Sequence, residues 1–93
     1  MKTFIAASFK RNTKKLHRNQ IIALEKAIQE IQEDPELGEL KVGDLAGIRV
    51  YKFRMLGQLI LLACSYIDDE MLTLIDFSSH ENFYNNLKKQ LKH

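Results

Sequence analysis

Tryptophan is absent, proline and cysteine occur once each, and glycine occurs only four times. A single cysteine, Cys64, allows no internal disulfide and no cysteine-cluster zinc site, which suits a reducing compartment. The one proline, Pro35, and three of the four glycines fall between residues 35 and 47, so the rest of the chain has little to interrupt it. Long apolar runs are missing too. None is long enough to span a bilayer, and the patch in "MKTFIAASFKRN" is too short for a signal-peptide core. A soluble, cytoplasmic protein is expected. The three histidines, at 17, 80 and 93, are scattered and give no metal cluster. No glycine-rich phosphate loop is present, since "GDLAG" lacks both the spacing and the lysine. No metal and no cofactor is expected.

What remains is an ordinary globular composition, 45% apolar and 28% charged, in 93 residues. That length makes one domain, residues 1–93, with a modest core: about 60–65% of the unfolded surface is buried at this size.

The net charge of +2 hides a blocked pattern. Residues 1–22 carry Lys2, Lys10, Arg11, Lys14, Lys15 and Arg18 with no acidic group. Residues 23–46 carry seven acidic groups against Lys26 and Lys41. Arg49, Lys52 and Arg54 are the only charges in 47–66, and Asp68, Asp69, Glu70 and Asp76 the only ones in 67–76. The end of the chain is basic again, with Lys88, Lys89 and Lys92. Such blocks can fold into one basic and one acidic face, and a basic face attracts a polyanion whatever its sequence. Each block taken alone also suits a merely solvated surface.

The apolar pattern gives the elements. Residues 3–6 suit a short strand. Ser8 is placed to cap a first helix running to about Leu16. Asn19 is placed to cap a second helix over 20–34, where Ile21, Leu24, Ile28 and Ile31 recur at helical spacing. Asp34-Pro35 ends it, because the proline ring disfavours helical geometry at Asp34. Beyond the connector "PELGELKVGDLAG" the period becomes two. "GIRVYKFRM" (47–55) puts Arg49, Tyr51, Phe53 and Met55 on one face and Ile48, Val50, Lys52 and Arg54 on the other. Leu56-Gly57 suits a tight turn, and "QLILLACSYI" (58–67) a central strand covered on both faces. Asp68-Asp69 is a second turn, and "EMLTLIDF" (70–77) a third strand. Short links make these strands an antiparallel meander. A final helix starts near Ser79. The order is β-α-α-β-β-β-α, an α+β domain with helices packed on a small sheet.

The stretch "SSHENFYNNLKK" (78–89) reads two ways. Ser78 and Glu81 have capping-box spacing, and Phe83, Leu87 and Leu91 form a buried stripe. Yet His80 sits in the first turn, where the helix dipole disfavours an imidazolium, and it shares a helix face with Tyr84. A base, an acid and nearby cations are what attack of a ribose 2′-hydroxyl on the adjacent phosphate requires. Arginine among those cations can hold two phosphate oxygens at once.

Three segments, "FKRNTKKL", "DPELGELKVGDLAGIRVYKFRMLGQLILLA" and "SHENFYNNLKK", resemble the ParE-like branch of the RelE/ParE superfamily. These are toxins of bacterial type II toxin–antitoxin pairs, and the resemblance covers nearly the whole chain. It implies two helices, an antiparallel sheet and a C-terminal helix. It also implies either of two activities: metal-independent cleavage of mRNA on the ribosome, as in RelE-type members, or poisoning of DNA gyrase, as in ParE-type members. By the resemblance Arg49, His80, Glu81 and Tyr84 are the catalytic candidates. Lys10, Arg11, Lys14, Lys15, Arg18, Lys52, Arg54 and Lys88 are the candidates for holding nucleic acid. The HENFY motif commonly continues with an arginine where this chain has Asn85, which removes one phosphate ligand. The implied partners are a cognate antitoxin together with ribosome and mRNA, or gyrase in the alternative; a third alternative is a degenerate member that survives as an antitoxin-binding module.

Overall fold

The computed structural model describes residues 2–67, 69–80, 83 and 84. Strand β1 (Lys2–Ile5) leads into α1 (Ala7–Thr13) and α2 (Arg18–Glu33). A two-residue strand β2 (Glu39–Leu40) and a 3-10 turn (Gly43–Leu45) precede β3 (Arg49–Met55), β4 (Gln58–Ile67) and β5 (Met71–Ser79). The five strands form one sheet in the order β1-β5-β4-β3-β2.

The meander β3-β4-β5 is antiparallel, as its short links require, and β2 adds to it antiparallel. β1 instead runs parallel to β5, with Lys2 opposite Met71 and Ile5 opposite Leu74. The sheet is therefore mixed rather than wholly antiparallel. The two helices between β1 and β3 carry the chain back over the sheet and make the parallel pairing possible.

The β3–β4 turn is Leu56-Gly57, both with positive φ (52° and 86°), which matches the twist of a two-residue hairpin. β4 is central and buried from Ile60 to Cys64. Its alternate residues feed two cores. On one face Ile60, Leu62 and Cys64 pack with Phe9, Leu24 and Ile31 from the helices. On the other, Leu61 and Ala63 pack with Leu45, Ile48, Val50 and Phe83. A register shift between Ala63 and Cys64 bends the β4–β5 ladder.

Both helix starts differ from expectation. α1 begins at Ala7 after Ala6, and the Ser8 hydroxyl, instead of capping, donates to Ile75 O on β5 at 2.8 Å. The helix ends at Thr13, three residues before Leu16. α2 is capped from His17, not Asn19: the Gln20 side chain accepts the His17 N–H at 2.8 Å. It ends at Asp34 as expected, where φ is −142° and the helical path is lost before Pro35. Chain geometry turns helical again at His80, Phe83 and Tyr84. Ser78 belongs to β5, and its expected capping partner Glu81 lies outside the described residues.

Candidate functional site

Strand alternation sorts the candidate residues. Arg49 lies opposite Cys64 on the face that packs against α1 and α2. Its guanidinium Nη1 donates to Glu36 O at 3.2 Å and to Gly38 O at 3.0 Å. It therefore clamps the connector that leads into β2. Tyr84 packs against the other core, with its ring edge-on to Phe83 at 5.0 Å between centroids. The structure does not bring Arg49 to Tyr84: the sheet stands between them.

The cations that share the Tyr84 face are Lys41, Lys52 and Arg54. Lys52 faces Leu61, which in turn faces Ser78. Arg54, two residues further along β3, is exposed on the same side, with Nη1 on Gly57 O at 3.0 Å. Lys41 Nζ stands 5.7 Å from the centre of the Tyr84 ring and makes an ion pair with Glu39 at 3.0 Å. The hydrogen bond that Lys41 donates to Glu39 raises its ammonium above the usual range, and the neighbouring Tyr84 phenol adds to this, so it stays charged beside the phenol. Lys41 lowers the Glu39 carboxyl in return, and Lys52 adds to that.

Lys41 had no role in the sequence reading. The signal was present: Glu39 and Lys41 are two apart, the spacing of one strand face, and Lys41 N–H bonds Ile48 O at 2.9 Å. The connector looked irregular because its strand is only two residues long.

His80 is exposed and directly follows β5, whose last residue Ser79 pairs with Ile60 near the β3–β4 turn. α1 reaches the same end of the sheet on the opposite face. There Asn12 Nδ2 donates to Asp76 Oδ1 at 2.5 Å and to Phe77 O at 3.4 Å. Lys10, Arg11, Lys14, Lys15 and Arg18 are all exposed around the α1 end and the link to α2. Arg54, His80 and this basic knob thus gather at one end of the sheet. Glu81 and Lys88 lie outside the described residues. Among the described residues no group of three His, Cys, Asp or Glu side chains is placed to hold a metal ion.

Over residues 4–88 the sequence matches the family of ParE-like toxins of type II bacterial toxin–antitoxin systems. The chain belongs to that family. Three solved structures of Escherichia coli RelE share the fold at low identity. The toxin within the intact RelBE toxin–antitoxin complex is 19% identical, with a TM-score of 0.67 over 84% of this chain and 94% of that one. A double arginine-to-alanine RelE variant in the free state is 17% identical, with a TM-score of 0.68 over 95% of each chain. The isolated toxin is 18% identical, with a TM-score of 0.66 over 96% of this chain and 97% of that one. No curated protein is a significant sequence match. The chain is a type II toxin by family. No helix among the described residues is long and apolar enough to cross a membrane.

Proposed function

We propose that this toxin blocks translation by cutting mRNA on the ribosome. The observation that carries the reading is the sheet face on which Tyr84 stands with Lys41, Lys52 and Arg54. Cleavage needs the ribose 2′-oxygen to lose its proton and attack the adjacent phosphorus while the 5′-oxygen leaves and takes up a proton from solvent. Lys52 and Arg54 neutralise the extra charge on the phosphate oxygens, the effect expected to count most. His80 or Glu81 accepts the 2′-hydroxyl proton, and Tyr84, oriented by Lys41, shares that role or positions the sugar. Arg49 acts indirectly, by holding the connector that carries Glu39 and Lys41. Lys10, Arg11, Lys14, Lys15 and Arg18, with Lys88, hold RNA backbone without regard to base.

One observation favours the gyrase reading instead. Arg49, the cation that the family resemblance makes catalytic, is turned away and occupied by Glu36 O and Gly38 O. A cognate antitoxin is the third component. RelE is seen bound to an antitoxin in the RelBE complex and to an antitoxin peptide in another structure. For this chain we expect an acidic segment that folds on binding and covers the basic helices and the C-terminal segment. Mapping transcript ends after induction tests the nuclease reading. New 5′ ends inside translated frames are expected; intact transcripts with halted DNA replication would move the target to gyrase.

A further inference from the structure

β1 forms one margin of the sheet, and its outer side carries unpaired backbone. Lys2 N–H bonds Glu70 O and Ala6 N–H bonds Leu74 O, both at 2.9 Å, so Lys2 and every second residue after it face β5. The N–H and C=O of Thr3 and Ile5 therefore point outward, unpaired among the described residues. Side chains alternate along the same strand. Thr3 turns to the helices, where its hydroxyl accepts from Gln32 Nε2 at 3.1 Å, and Phe4 turns to the opposite face. Phe4 is 60% exposed there, beside Met71 and Ile67, which pair across β5 and β4 and are 44% and 56% exposed. Three neighbouring apolar side chains next to an unpaired edge form a combination that soluble sheets normally avoid. Charge is arranged around the same edge. α1 continues the line of β1 along β5, with Ser8 bonded to Ile75 O and Asn12 to Phe77 O. Lys10 and Lys14, each two residues beyond one of those contacts, project from the other side of the helical path, away from the sheet. At the opposite end of β1 the β4–β5 turn presents Asp69 and Glu70, both exposed and without an ion-pair partner among the described residues.

We propose that two copies of this chain pair through β1, antiparallel about a twofold axis at Phe4, and so join their sheets into one. The outward groups dictate the register. Setting Thr3 of each copy opposite Ile5 of the other satisfies every outward N–H and C=O of both strands; an axis at Thr3 or Ile5 satisfies only half of them. Phe4 of one copy then stands directly opposite Phe4 of the other, in the closely spaced kind of antiparallel pair. The apolar stripe runs unbroken from Ile67 of one copy to Ile67 of the other. Lys2, the only charge on β1, falls opposite Ala6, so no like charges meet. The antiparallel path also carries α1 of each copy past the β4–β5 turn of the other, which sets Lys10 and Lys14 beside Asp69 and Glu70. The axis makes each of these contacts twice, as a self-complementary surface requires. Where α1 holds RNA, as proposed above, pairing competes with it for Lys10 and Lys14.

Engineered cysteines in the full chain read the register. In Phe4→Cys the two Cα atoms are expected about 4.5–5.5 Å apart, within reach of a disulfide. In Thr3→Cys they are about 8 Å apart, beyond reach. The native Cys64 is buried and takes no part. Mild oxidation should link Phe4→Cys into a dimer and leave Thr3→Cys unlinked. Sedimentation equilibrium should show the unaltered chain passing from monomer to dimer as concentration rises. Phe4→Glu, which sets two carboxylates opposite each other, should weaken that pairing at least about tenfold. Lys10→Glu should weaken it as well, and adding Glu70→Lys should restore it. A chain that stays monomeric to millimolar concentration overturns the proposal. A dimer that Phe4→Glu leaves intact assigns the pairing to another surface and overturns it too. Equal cross-linking of Phe4→Cys and Thr3→Cys, the mark of random collision, refutes the register and with it the twofold contact.

Discussion

Tyr51 joins α2 to the sheet through one hydroxyl, and that bond has a pH signature. The Glu30 carboxylate, accepting from it, is the main reason its phenol is pushed up to about 12; desolvation adds to this. Burial pushes the Cys64 thiol up to about 11, against a smaller opposing pull from Arg49. Both folded values lie above the ordinary values of 10.0 and 9.0, so folding favours the protonated forms. Their contribution is complete below about pH 9 and is lost as pH rises through the folded values. Thermal melts should therefore be insensitive to these two groups up to about pH 9 and fall from about 9 to 12. Tyr51→Phe should flatten the upper part of that fall while lowering stability at neutral pH. Arg49 carries the sharpest residue-scale contrast. Its two bonds to connector carbonyls predict that Arg49→Ala costs about 1–3 kcal/mol of stability, seen as a lower Tm. The purified variant, assayed below that Tm, should keep most of its toxicity. A folded but inactive Arg49→Ala would return this arginine to the chemistry. The alternation of "GIRVYKF" already separated Arg49 from Lys52 and Arg54. It could not say which face receives Tyr84, because that depends on contacts between residues more than thirty positions apart.

Among the elements, the β3–β4 hairpin was fully legible. Two apolar-alternating runs flank Leu56-Gly57, and the turn forms there. Leu56 holds φ at 52° while 66% exposed, so it bears left-handed strain with little burial in return. Leu56→Asn, better suited to the first turn position, should add about 0.5–1 kcal/mol and raise Tm by roughly 2–8 °C in a domain of this size. An unchanged or lower Tm would mean that Leu56 has a role besides the turn. The helix starts were less legible, and the reason is physical. Ser8 has the chemistry of a cap, but β5 lies alongside and Ile75 O accepts its hydrogen bond. A tertiary bond thus displaced a local one. At α2 the local signal is present, in Gln20 three residues after His17, but Asn19 is by residue type the stronger cap, and type alone does not decide between them. The basic knob at the α1 end makes its own prediction. If it holds RNA backbone, reversing Lys14 and Lys15 should flatten the salt dependence of ribosome binding by roughly two ion contacts. An unchanged slope would exclude this element from the RNA interface.

At the scale of the whole molecule, one sheet with two differently used faces organises everything. Its helix-covered face holds the larger core and the Arg49 clamp; its other face carries Phe83, Tyr84 and the cations. The α+β class and the order of β1, the two helices and the three-strand meander followed from period and punctuation alone; β2 did not, and the expected final helix lies largely outside the described residues. The parallel pairing of β1 did not, because a four-residue strand has no pattern that distinguishes one partner from another. The division of labour between faces is the central claim, and mRNA cleavage in a reconstituted translation system tests it most directly. End-labelled mRNA is followed with wild type, Tyr84→Phe, the double variant Lys52→Ala/Arg54→Ala, and Arg49→Ala, each shown to be folded. Wild type and Arg49→Ala are expected to cut ribosome-bound mRNA. Tyr84→Phe and the double variant should be slower by about 100-fold or more, the size of a lost proton-transfer or charge-stabilising group. Cleavage lost in Arg49→Ala and retained in the other two would contradict the account.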